Sequence, residues 1–494
     1  MKVVLISPYS DITSFGIRSL SASLRQAGIG TRLIFLPHTP SEWASTDDIY
    51  PTTILDHVAE LCKDAELIGI SLMTSYFVRV AALTQRLKQT TAAQVIWGGI
   101  HPTIRPMECL DFADAICVGE GEEAMLEYAR AVEAGRIGEP IPNIGYRINN
   151  KIKLNPPRPL IQHLDSLPHP DYSLDDHWVW DFPAADLQLF NPTLFYRWLM
   201  AGHISRIRNE AAYQTIATRG CPHNCAYCCN STLRQLYKGQ PYLRRRGIEN
   251  ILDELERITK HYDFIRVIGF SDDSFFAARE EEIQDFSTRY KERIGLPFFC
   301  LGSPLTVTET KLNHLVEAGL FGLQMGIQTG SRRTLKRYQR PIPIEKVLES
   351  ARVINKFRDK LLPPTYDFII DNPLETRDDI LETVDLMLTL PKPNRLQLFS
   401  LVVFPETALF HQLREAGLPV PESPPDYSHD YHQRQATYLN IILGLIRHGF
   451  SPRLIRLLTR KKIVSLLDHP IFSKFYKWLY AIARMLNRKI LKRR

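Results

Sequence analysis

Three closely spaced cysteines constrain this chain more than any other feature of its sequence. Cys221, Cys225 and Cys228 stand in the run RGCPHNCAYC, in the spacing C-x3-C-x2-C. A cubane iron–sulfur cluster is usually held by four cysteine thiolates. A compact loop that offers three thiolates leaves one iron open to a small molecule. The spacing therefore predicts a catalytic [4Fe–4S] site.

Two other interpretations of these cysteines are open, a structural zinc site and unrelated buried thiols. Zinc prefers four ligands in paired C-x2-C units, and no second pair follows. Cys229 would complete a set of four, but adjacent residues seldom reach the same metal, so we expect it to pack beside the site. The remaining cysteines have no spacing pattern and are predicted to be small buried hydrophobes: Cys62, Cys109, Cys117 and Cys300.

The cysteine spacing, with the aromatic Tyr227 just before the last cysteine, resembles the signature of the radical S-adenosylmethionine (radical SAM) superfamily. In that superfamily the fourth iron of the cluster chelates the amino and carboxylate groups of SAM. An electron from the cluster then cleaves the sulfonium and releases a 5′-deoxyadenosyl radical. The resemblance implies Cys221, Cys225 and Cys228 as the metal ligands. It also implies Tyr227 as a SAM contact and an external electron donor such as flavodoxin or ferredoxin.

From Met1 to about Arg147, short apolar runs alternate with helical patterns, which indicates βαβ units and a parallel sheet. Such sheets bind ligands outside the carboxyl ends of their strands. Glycine pairs at those ends let a flat ligand approach the backbone, because no side chain stands in the way. The predicted strands are Val3–Ile6, Thr31–Leu36, Leu67–Ser71, Gln94–Trp97 and Ala115–Val118, and the predicted helices are Arg18–Gln26, Ile54–Lys63 and Val78–Lys88.

This order of motifs resembles the cobalamin-binding domain that precedes many radical SAM cores. The cobalamin motif DxHxxG has a counterpart at residues 11–16, in which Thr13 replaces the histidine. Threonine is a poor cobalt ligand, so we expect no protein imidazole on the lower face of cobalamin. The alternatives are a degenerate Rossmann-like domain kept for packing or partner contact, and a histidine, His101, that only orders its own loop. The predicted cobalamin contacts are Ser71, Thr74, Gly98, Gly99, His101, Gly119 and Glu120.

A second β/α series runs from Tyr213 to about Leu413 and predicts a partial (β/α)6 barrel. The chemistry of β/α barrels sits at the carboxyl ends of the strands, and the cysteine loop follows the first predicted strand, as the resemblance requires. The predicted strands are Tyr213–Ala217, Ile265–Phe270, Phe298–Leu301, Gly322–Ile327, Thr365–Ile370 and Leu396–Val403.

Weaker motifs follow the other barrel strands in the order that the superfamily shows. Asp272 and Asp273 follow the second strand, where relatives hold the SAM amino group, although a solvated turn is the alternative. Gln328 ends the fourth strand, where relatives contact the SAM ribose. The fifth and sixth motifs depart from the family pattern, because Asp371 and Glu406 stand where glycine is usual. The resemblance covers about residues 1–410.

Length and charge complete the expected organisation. With 494 residues, 44% of them hydrophobic, the chain has enough core for two domains and an appendage. No signal peptide precedes the first apolar run, and no run approaches the roughly 20 apolar residues that span a bilayer, so we expect a cytoplasmic protein in a reducing compartment. The expected α/β organisation is a Rossmann-like cobalamin-binding domain at 1–147, a linker at 148–212, a radical SAM core at 213–413 and a helical basic extension at 414–494.

The C-terminal tail is strongly basic. Residues 441–494 carry a net charge of +13, whereas the whole chain carries +7. An apolar pattern at helical spacing, from Phe472 to Ile490, lies beside a basic face. This combination predicts a helix in an anionic membrane interface, with peripheral contact at the inner membrane face. The alternatives are a helix docked on the barrel with solvated charges and, less favoured, nucleic-acid binding.

Together these resemblances imply a cobalamin-dependent radical SAM enzyme, most often a methyltransferase that acts on an unactivated carbon of a small molecule or lipid. In that family methylcobalamin lies between the two domains, the deoxyadenosyl radical removes a hydrogen atom, and the substrate radical takes the methyl group. One rival is a radical rearrangement, cyclisation or oxidation without methyl transfer, since a fold does not fix a reaction. Another is a non-catalytic sensor or scaffold that retains the cluster.

Overall fold

An apolar run from Val3 to Ile6 forms the central strand of the N-terminal sheet in the computed structural model, which describes residues 1–9, 13–37, 49–148, 151–424, 426–427 and 435–479. The run is buried because helices cover both faces of the parallel sheet. The strands of this sheet are β1 (Lys2–Ser7), β2 (Gly30–Phe35), β3 (Leu67–Ser71), β4 (Gln94–Gly98), β5 (Ala115–Cys117), β6 (Ile144–Ile148), β7 (Lys151–Leu154), β8 (His177–Asp181) and β9 (Asp186–Leu189).

The order of these strands creates a ligand-binding position. The order is β7-β6-β5-β4-β3-β1-β2-β8-β9, and the six strands from β5 to β8 in this order run parallel. β1 lies between β2 and β3, so the strands that follow it in the chain are placed on opposite sides of it. Parallel sheets bind ligands at such switch points. The predicted Rossmann-like architecture is confirmed. Its helices are α1 (Phe15–Gln26), α2 (Thr52–Leu61), α3 (Phe77–Thr90), α4 (Ile100–Ile104), α5 (Pro106–Cys109) and α6 (Glu122–Glu133).

The segment that we predicted as a linker, residues 148–212, differs from that expectation. It contributes β7, β8 and β9 to the N-terminal sheet, and β8 pairs in parallel with β2. Val179, Trp180 and Leu187 are buried there, so this part of the segment adds apolar area to the domain. Because a proline-rich stretch precedes β8 and β9, the sequence did not predict these two short strands. Two helices then lead to the barrel, α7 (Pro192–Ala201) and α8 (His203–Arg208).

The second sheet is the predicted partial barrel. Its six strands pair in parallel in the order of the chain. They are β10 (Ala212–Thr215), β13 (Val267–Phe270), β14 (Phe298–Gly302), β15 (Leu320–Gln328), β16 (Thr365–Ile370) and β17 (Arg395–Ser400), while β11 (Thr218–Arg219) and β12 (Arg244–Arg245) form a small antiparallel pair after β10. Its helices are α9 (Cys229–Leu236), α10 (Ile248–His261), α11 (Glu280–Arg293), α12 (Glu309–Glu317), α13 (Arg332–Arg337), α14 (Ile344–Asn355), α15 (Arg377–Thr389) and α16 (Ala408–Glu415).

The C-terminal extension packs on the barrel through its first helix. The apolar face of α17 (Tyr438–Arg447) buries Leu439, Leu443 and Ile446 in the same hydrophobic core as the barrel. Two short helices follow, α18 (Pro452–Leu458) and α19 (Lys461–Leu467). Among the described residues, no helix combines the length and the apolar character that are needed to cross a membrane. The part of the predicted tail helix beyond residue 479 lies outside the described residues.

The two positions at which the family pattern has glycine share one backbone conformation. Asp371 (φ 63°) and Glu406 (φ 59°) both adopt the left-handed conformation that glycine would adopt. Their carboxylates then serve as docking points. Asp371 accepts hydrogen bonds from the backbone of Gln435 at 3.1 Å and from the side chain of Asn440, both in the extension. Glu406 pairs with Arg105 of the N-terminal domain at 3.0 Å.

Candidate cluster and cofactor site

Backbone contacts on both sides hold the cysteine loop. Gly220, just before the first cysteine, has φ 84°, and a Cβ there would lie 2.3 Å from the carbonyl oxygen of Tyr242, so the position requires glycine. In the middle of the loop, the Ala226 N–H donates to the Tyr338 carbonyl at 2.8 Å, and the Leu409 N–H donates to the Ala226 carbonyl at 2.8 Å. The loop is therefore fixed against the carboxyl-terminal side of the barrel.

The three predicted ligands lie together in a buried setting. Cys221 and Cys225 are 8% and 6% exposed. Burial, with the nearby Asp273 carboxylate and the other two cysteines, raises the pKa of Cys221 to about 11. The thiol of Cys229 donates to Cys228 and lowers the pKa of Cys228 to about 6. Cys229 thus packs beside the site. Three thiolates buried beside the Asp273 carboxylate repel one another, and a bound metal group would remove this repulsion.

A set of three thiolates in one loop suits an iron–sulfur cluster, in which each cysteine binds a different iron. In the part of the chain that the structure describes, no three His, Cys, Asp or Glu side chains are grouped to hold one metal ion. The other cysteines are all buried, as predicted: Cys62, Cys109, Cys117 and Cys300.

Two arginines that the sequence did not point to face the cysteine loop. The buried Arg340 lies with Nη1 3.4 Å from Sγ of Cys225, and its Nη2 donates to the Gly326 carbonyl at 2.9 Å. Arg234 donates to the Cys221 carbonyl. Cations beside thiolates stabilise the anionic form that binds metal. Arg340 lies more than a hundred residues along the chain from Cys225, so only the fold brings them together.

The two predicted SAM carboxylates have different surroundings. Asn230 donates to Oδ2 of Asp273 at 3.0 Å and lies 3.5 Å from Sγ of Cys228, which puts Asp273 one side chain away from the cysteines. A carboxylate there fits an ammonium group. Asp272 instead accepts from the Ala217 N–H at 2.9 Å and the Thr218 hydroxyl at 2.6 Å. It is 1% exposed, so the solvated-turn alternative is wrong for Asp272.

The other two predicted SAM contacts lie on the same side of the barrel. Gln328 ends β15 with φ 79°, next to a register shift between β15 and β16. The ring of Tyr227 meets the ring of Tyr338 edge-on, with 4.9 Å between the centroids. The roles of Asp272, Asp273, Gln328 and Tyr227 toward SAM stay predictions.

A cavity of about 250 Å³ lies at the switch point of the N-terminal sheet. Five of the predicted cobalamin contacts line it: Ser71, Gly98, Gly99, Gly119 and Glu120. The wall also includes Gly16 at the start of α1, where an added Cβ would meet only open space. Ile216 and Arg219 of the barrel domain complete the wall. A glycine-lined cavity beside the segment that leads into the cysteine loop lets a flat cofactor approach the backbone.

The other two predicted cobalamin contacts, Thr74 and His101, bond to each other instead. Nδ1 of the fully buried His101 lies 3.1 Å from the Thr74 hydroxyl, and its Nε2 lies 2.8 Å from the Glu108 carboxylate. The rings of Phe77 and Tyr427 flank the imidazole. These contacts fit the alternative that His101 orders its own loop, and its role toward cobalamin stays a prediction. Among the described residues, the cavity lining contains no histidine.

Ion pairs join the cobalamin-type domain to the cysteine loop. Arg219 lies 3.1 Å from Glu120 and also pairs with Glu122, while Arg244 lies 2.8 Å from Glu120. Burial alone would raise the pKa of Glu122, but the charge and hydrogen bond of Arg219 outweigh it and hold that pKa below its usual value. Glu120 thus has a structural role besides its place in the cavity wall. The sequence carried one signal for Arg219, its position directly before the Gly220-Cys221 pair, but nothing local identifies its partners.

Comparison with known proteins agrees with this arrangement. The profile of the radical SAM superfamily matches residues 215–387, and that of the B12 binding domain matches residues 1–129. A Pyrococcus horikoshii protein named an uncharacterized methyltransferase is 28% identical over 66% of this chain and 65% of its own length. The anaerobic magnesium-protoporphyrin IX monomethyl ester cyclase of Rubrivivax gelatinosus is 24% identical over 73% of this chain and 60% of its own length. The chain thus spans less than two thirds of these relatives.

A solved structure shares the two-domain fold. The radical SAM methyltransferase TsrM from Kitasatospora setae, solved with cobalamin and a [4Fe–4S] cluster bound, superposes with a TM-score of 0.64 over 86% of this chain and 84% of its own. At 14% identity, this similarity shows the fold alone. The two family profiles match successive parts of the chain, a B12-binding domain followed by a radical SAM core. The chain's cofactors are accordingly a [4Fe–4S] cluster, SAM and cobalamin.

The variant Asp272→Asn tests the buried carboxylate behind the cysteine loop. Burial raises the pKa of Asp272 from 3.8 to about 6, so the folded protein holds this proton more tightly than the unfolded chain does. The folded state therefore loses stability as the pH rises from about 4 to about 6. Asparagine keeps the acceptor oxygen without the charge. We expect it to raise the free energy of unfolding by up to about 3 kcal/mol at neutral pH, with no gain near pH 4.

Denaturant unfolding at the two pH values measures this difference. Asp359→Asn is the matched control, because the Asp359 side chain is 92% exposed and should change stability little at either pH. A variant at Asp272 that is less stable than the parent at neutral pH would contradict the prediction.

Proposed function

We propose that this protein is a cobalamin-dependent radical SAM methyltransferase that acts on an unactivated carbon. One observation carries the proposal: Ile216 and Arg219, which close the cavity of the B12-binding domain, belong to the segment that leads into Cys221. A group bound in the cavity and a group bound by the cysteines would therefore share one chamber between the domains. Methyl transfer by a radical route needs both groups to reach the same substrate carbon.

The chain's own residues have defined tasks in this proposal. Cys221, Cys225 and Cys228 hold the cluster, and Asp273 orients the SAM amino group. When bound, the cluster and SAM supply a carbon radical at the expense of one external electron, and cobalamin supplies the methyl group. Arg340 balances the negative charge of the thiolates. Because the cysteines are buried, the chamber keeps water away from reactive species. The electron donor is a flavodoxin-like or ferredoxin-like protein.

The inner face of the barrel favours a substrate with a hydrogen-bond donor. Along β16, Thr365, Asp367 and Ile369 are partly accessible while the alternate residues are buried, so the accessible set faces the lumen. Gln324 donates to Oδ2 of Asp367 at 2.7 Å, and Oδ1 is buried with no partner in the described part of the chain. Burial raises the pKa of Asp367 to about 6. A substrate hydroxyl or amine would satisfy the second oxygen.

A second candidate reaction is a radical cyclisation or oxidation without methyl transfer. The similarity to the magnesium-protoporphyrin ester cyclase favours it. The mass of the product separates the two reactions, because methylation adds CH2. A non-catalytic sensor would be indicated if the reduced, cluster-loaded protein failed to cleave SAM.

Replacing the three loop cysteines with alanine tests the cluster. Cys221→Ala/Cys225→Ala/Cys228→Ala should remove the bound iron and sulfide of anaerobically prepared protein, because no other thiols share the loop geometry. SAM cleavage should fall to background with it. Iron and sulfide analysis measures the first effect and chromatography of the products the second. Cys62→Ala, at a remote buried thiol, is the control and should keep both; a full cluster in the triple variant would disprove the assignment.

Filling the glycine-lined cavity tests the cobalamin site. Gly16 lines the cavity, and an added Cβ there would meet no atom within 4 Å, so we expect Gly16→Leu to block cobalamin uptake without disturbing the core. We expect at least a tenfold loss of bound cobalamin, measured by absorbance after gel filtration, with unchanged iron content. Gly30→Leu adds the same side chain at an exposed position of the same domain and should bind normally. Normal uptake by Gly16→Leu would place cobalamin elsewhere.

A further inference from the structure

Large apolar side chains exposed to solvent are concentrated in one part of the molecule. Between residues 450 and 478 they occur on α18, on α19 and on the helical turns that follow. We call the exposed residues of this range the C-terminal surface. Its apolar members are Phe450 (47% exposed), Leu454 (40%), Leu457 (45%), Leu466 (68%), Ile471 (76%), Phe475 (51%) and Trp478 (58%).

This surface is held in place by the opposite faces of the same helices. Ile455 of α18, Val464 of α19 and Tyr476 are buried in the core that the barrel and α17 share. The Tyr476 hydroxyl donates to the Leu467 carbonyl at 2.7 Å, and its ring centroid lies 6.2 Å from that of Tyr438. The exposed rings of Phe475 and Trp478 stack on each other at 6.0 Å. Docking therefore fixes the segment and leaves a second apolar face that no described residue covers.

The charges that residues 441–494 contribute to this surface are positive, apart from one aspartate. The only acid of residues 441–494, Asp468, pairs with Arg377 of the barrel at 2.9 Å. Within the described residues, the cations of the surface make no ion pair of their own. They are all exposed: Arg453, Arg456, Arg460, Lys461, Lys462, Lys474 and Lys477.

We propose that the C-terminal surface binds the anionic face of a phospholipid bilayer. Lipid headgroups satisfy the cations, and the acyl boundary takes up the leucines and the two aromatic rings. Phosphates of a nucleic acid would neutralise the lysines but offer no apolar layer for Leu466 and Ile471. A second copy of the chain would bring like charges together. The basic residues beyond 479 add to the same charge.

The proposal is independent of the reaction. The exposed residues of the C-terminal surface lie outside the cysteine loop and the B12 cavity, so lipid binding can fail while the cofactor assignments hold, and the reverse. If it holds, the enzyme works beside a membrane, and its substrate can be a lipid or a compound released there.

Vesicle sedimentation of the full-length protein tests the proposal. The probes are phosphatidylcholine vesicles with and without about 30% phosphatidylglycerol. The protein should pellet with the anionic vesicles at low salt and be released as salt rises. Phe475→Ser/Trp478→Ser removes apolar contact, and Lys474→Glu/Lys477→Glu reverses two charges. We expect each pair to weaken binding roughly tenfold or more.

The matched controls change exposed residues elsewhere, Leu189→Ser in the N-terminal sheet and Lys291→Glu on α11, and should bind like the parent. Circular dichroism and cobalamin content confirm that each variant is folded. Recovery of the parent protein in the supernatant with both vesicle types would overturn the proposal, as would equal binding to neutral vesicles. Binding of RNA that depends on Lys474 and Lys477 but not on Phe475 and Trp478, without vesicle binding, would identify a nucleic-acid surface instead.

Discussion

The partly buried ion pair between Arg219 and Glu122 is the interaction on which the arrangement of this molecule depends. Arg219 stands two residues before the first cysteine of the loop, and its carboxylate partners belong to the B12-binding domain. Removing Arg219 would leave the buried Glu122 carboxylate without its cation, which is destabilising. The position of the cysteine loop is therefore set by the N-terminal domain as well as by the barrel. The wall of the B12 cavity likewise takes residues from both domains.

Further contacts hold the N-terminal domain, the barrel and the C-terminal extension together. Glu406, at the carboxyl-terminal side of the barrel, reaches Arg105 of the N-terminal domain. The hydroxyl of Tyr427, from the segment after the barrel, lies 3.0 Å from Glu108, the residue that also contacts His101. Asp371 fixes the start of the extension. Side chains at positions where the resembling family uses glycine thus replace local flexibility with contacts between domains.

Much of the fold could be predicted from the sequence. Parallel strands buried on both faces are continuous apolar runs, and Leu67–Ser71 and Thr365–Ile370 were predicted with the observed bounds. The short strands β8 and β9 were missed, because they follow a proline-rich stretch and are recognised only by the pairing of β8 with β2 and of β9 with β8. The cysteine loop could be recognised because its spacing is local, and the ligand role of its three cysteines stays a prediction. Arg340 could not be predicted, since a side chain that approaches Cys225 through tertiary packing leaves no local pattern.

The central claim is that this protein uses SAM in two ways, as a radical source at the cysteines and as the origin of the methyl group carried in the B12 cavity. Analysis of SAM products by mass spectrometry tests it most directly, with anaerobic, reduced, cofactor-loaded protein. The parent should form both 5′-deoxyadenosine and S-adenosylhomocysteine, and Gly16→Leu should form only 5′-deoxyadenosine. If the parent formed no S-adenosylhomocysteine, or if Gly16→Leu formed as much of it as the parent, the claim would be contradicted.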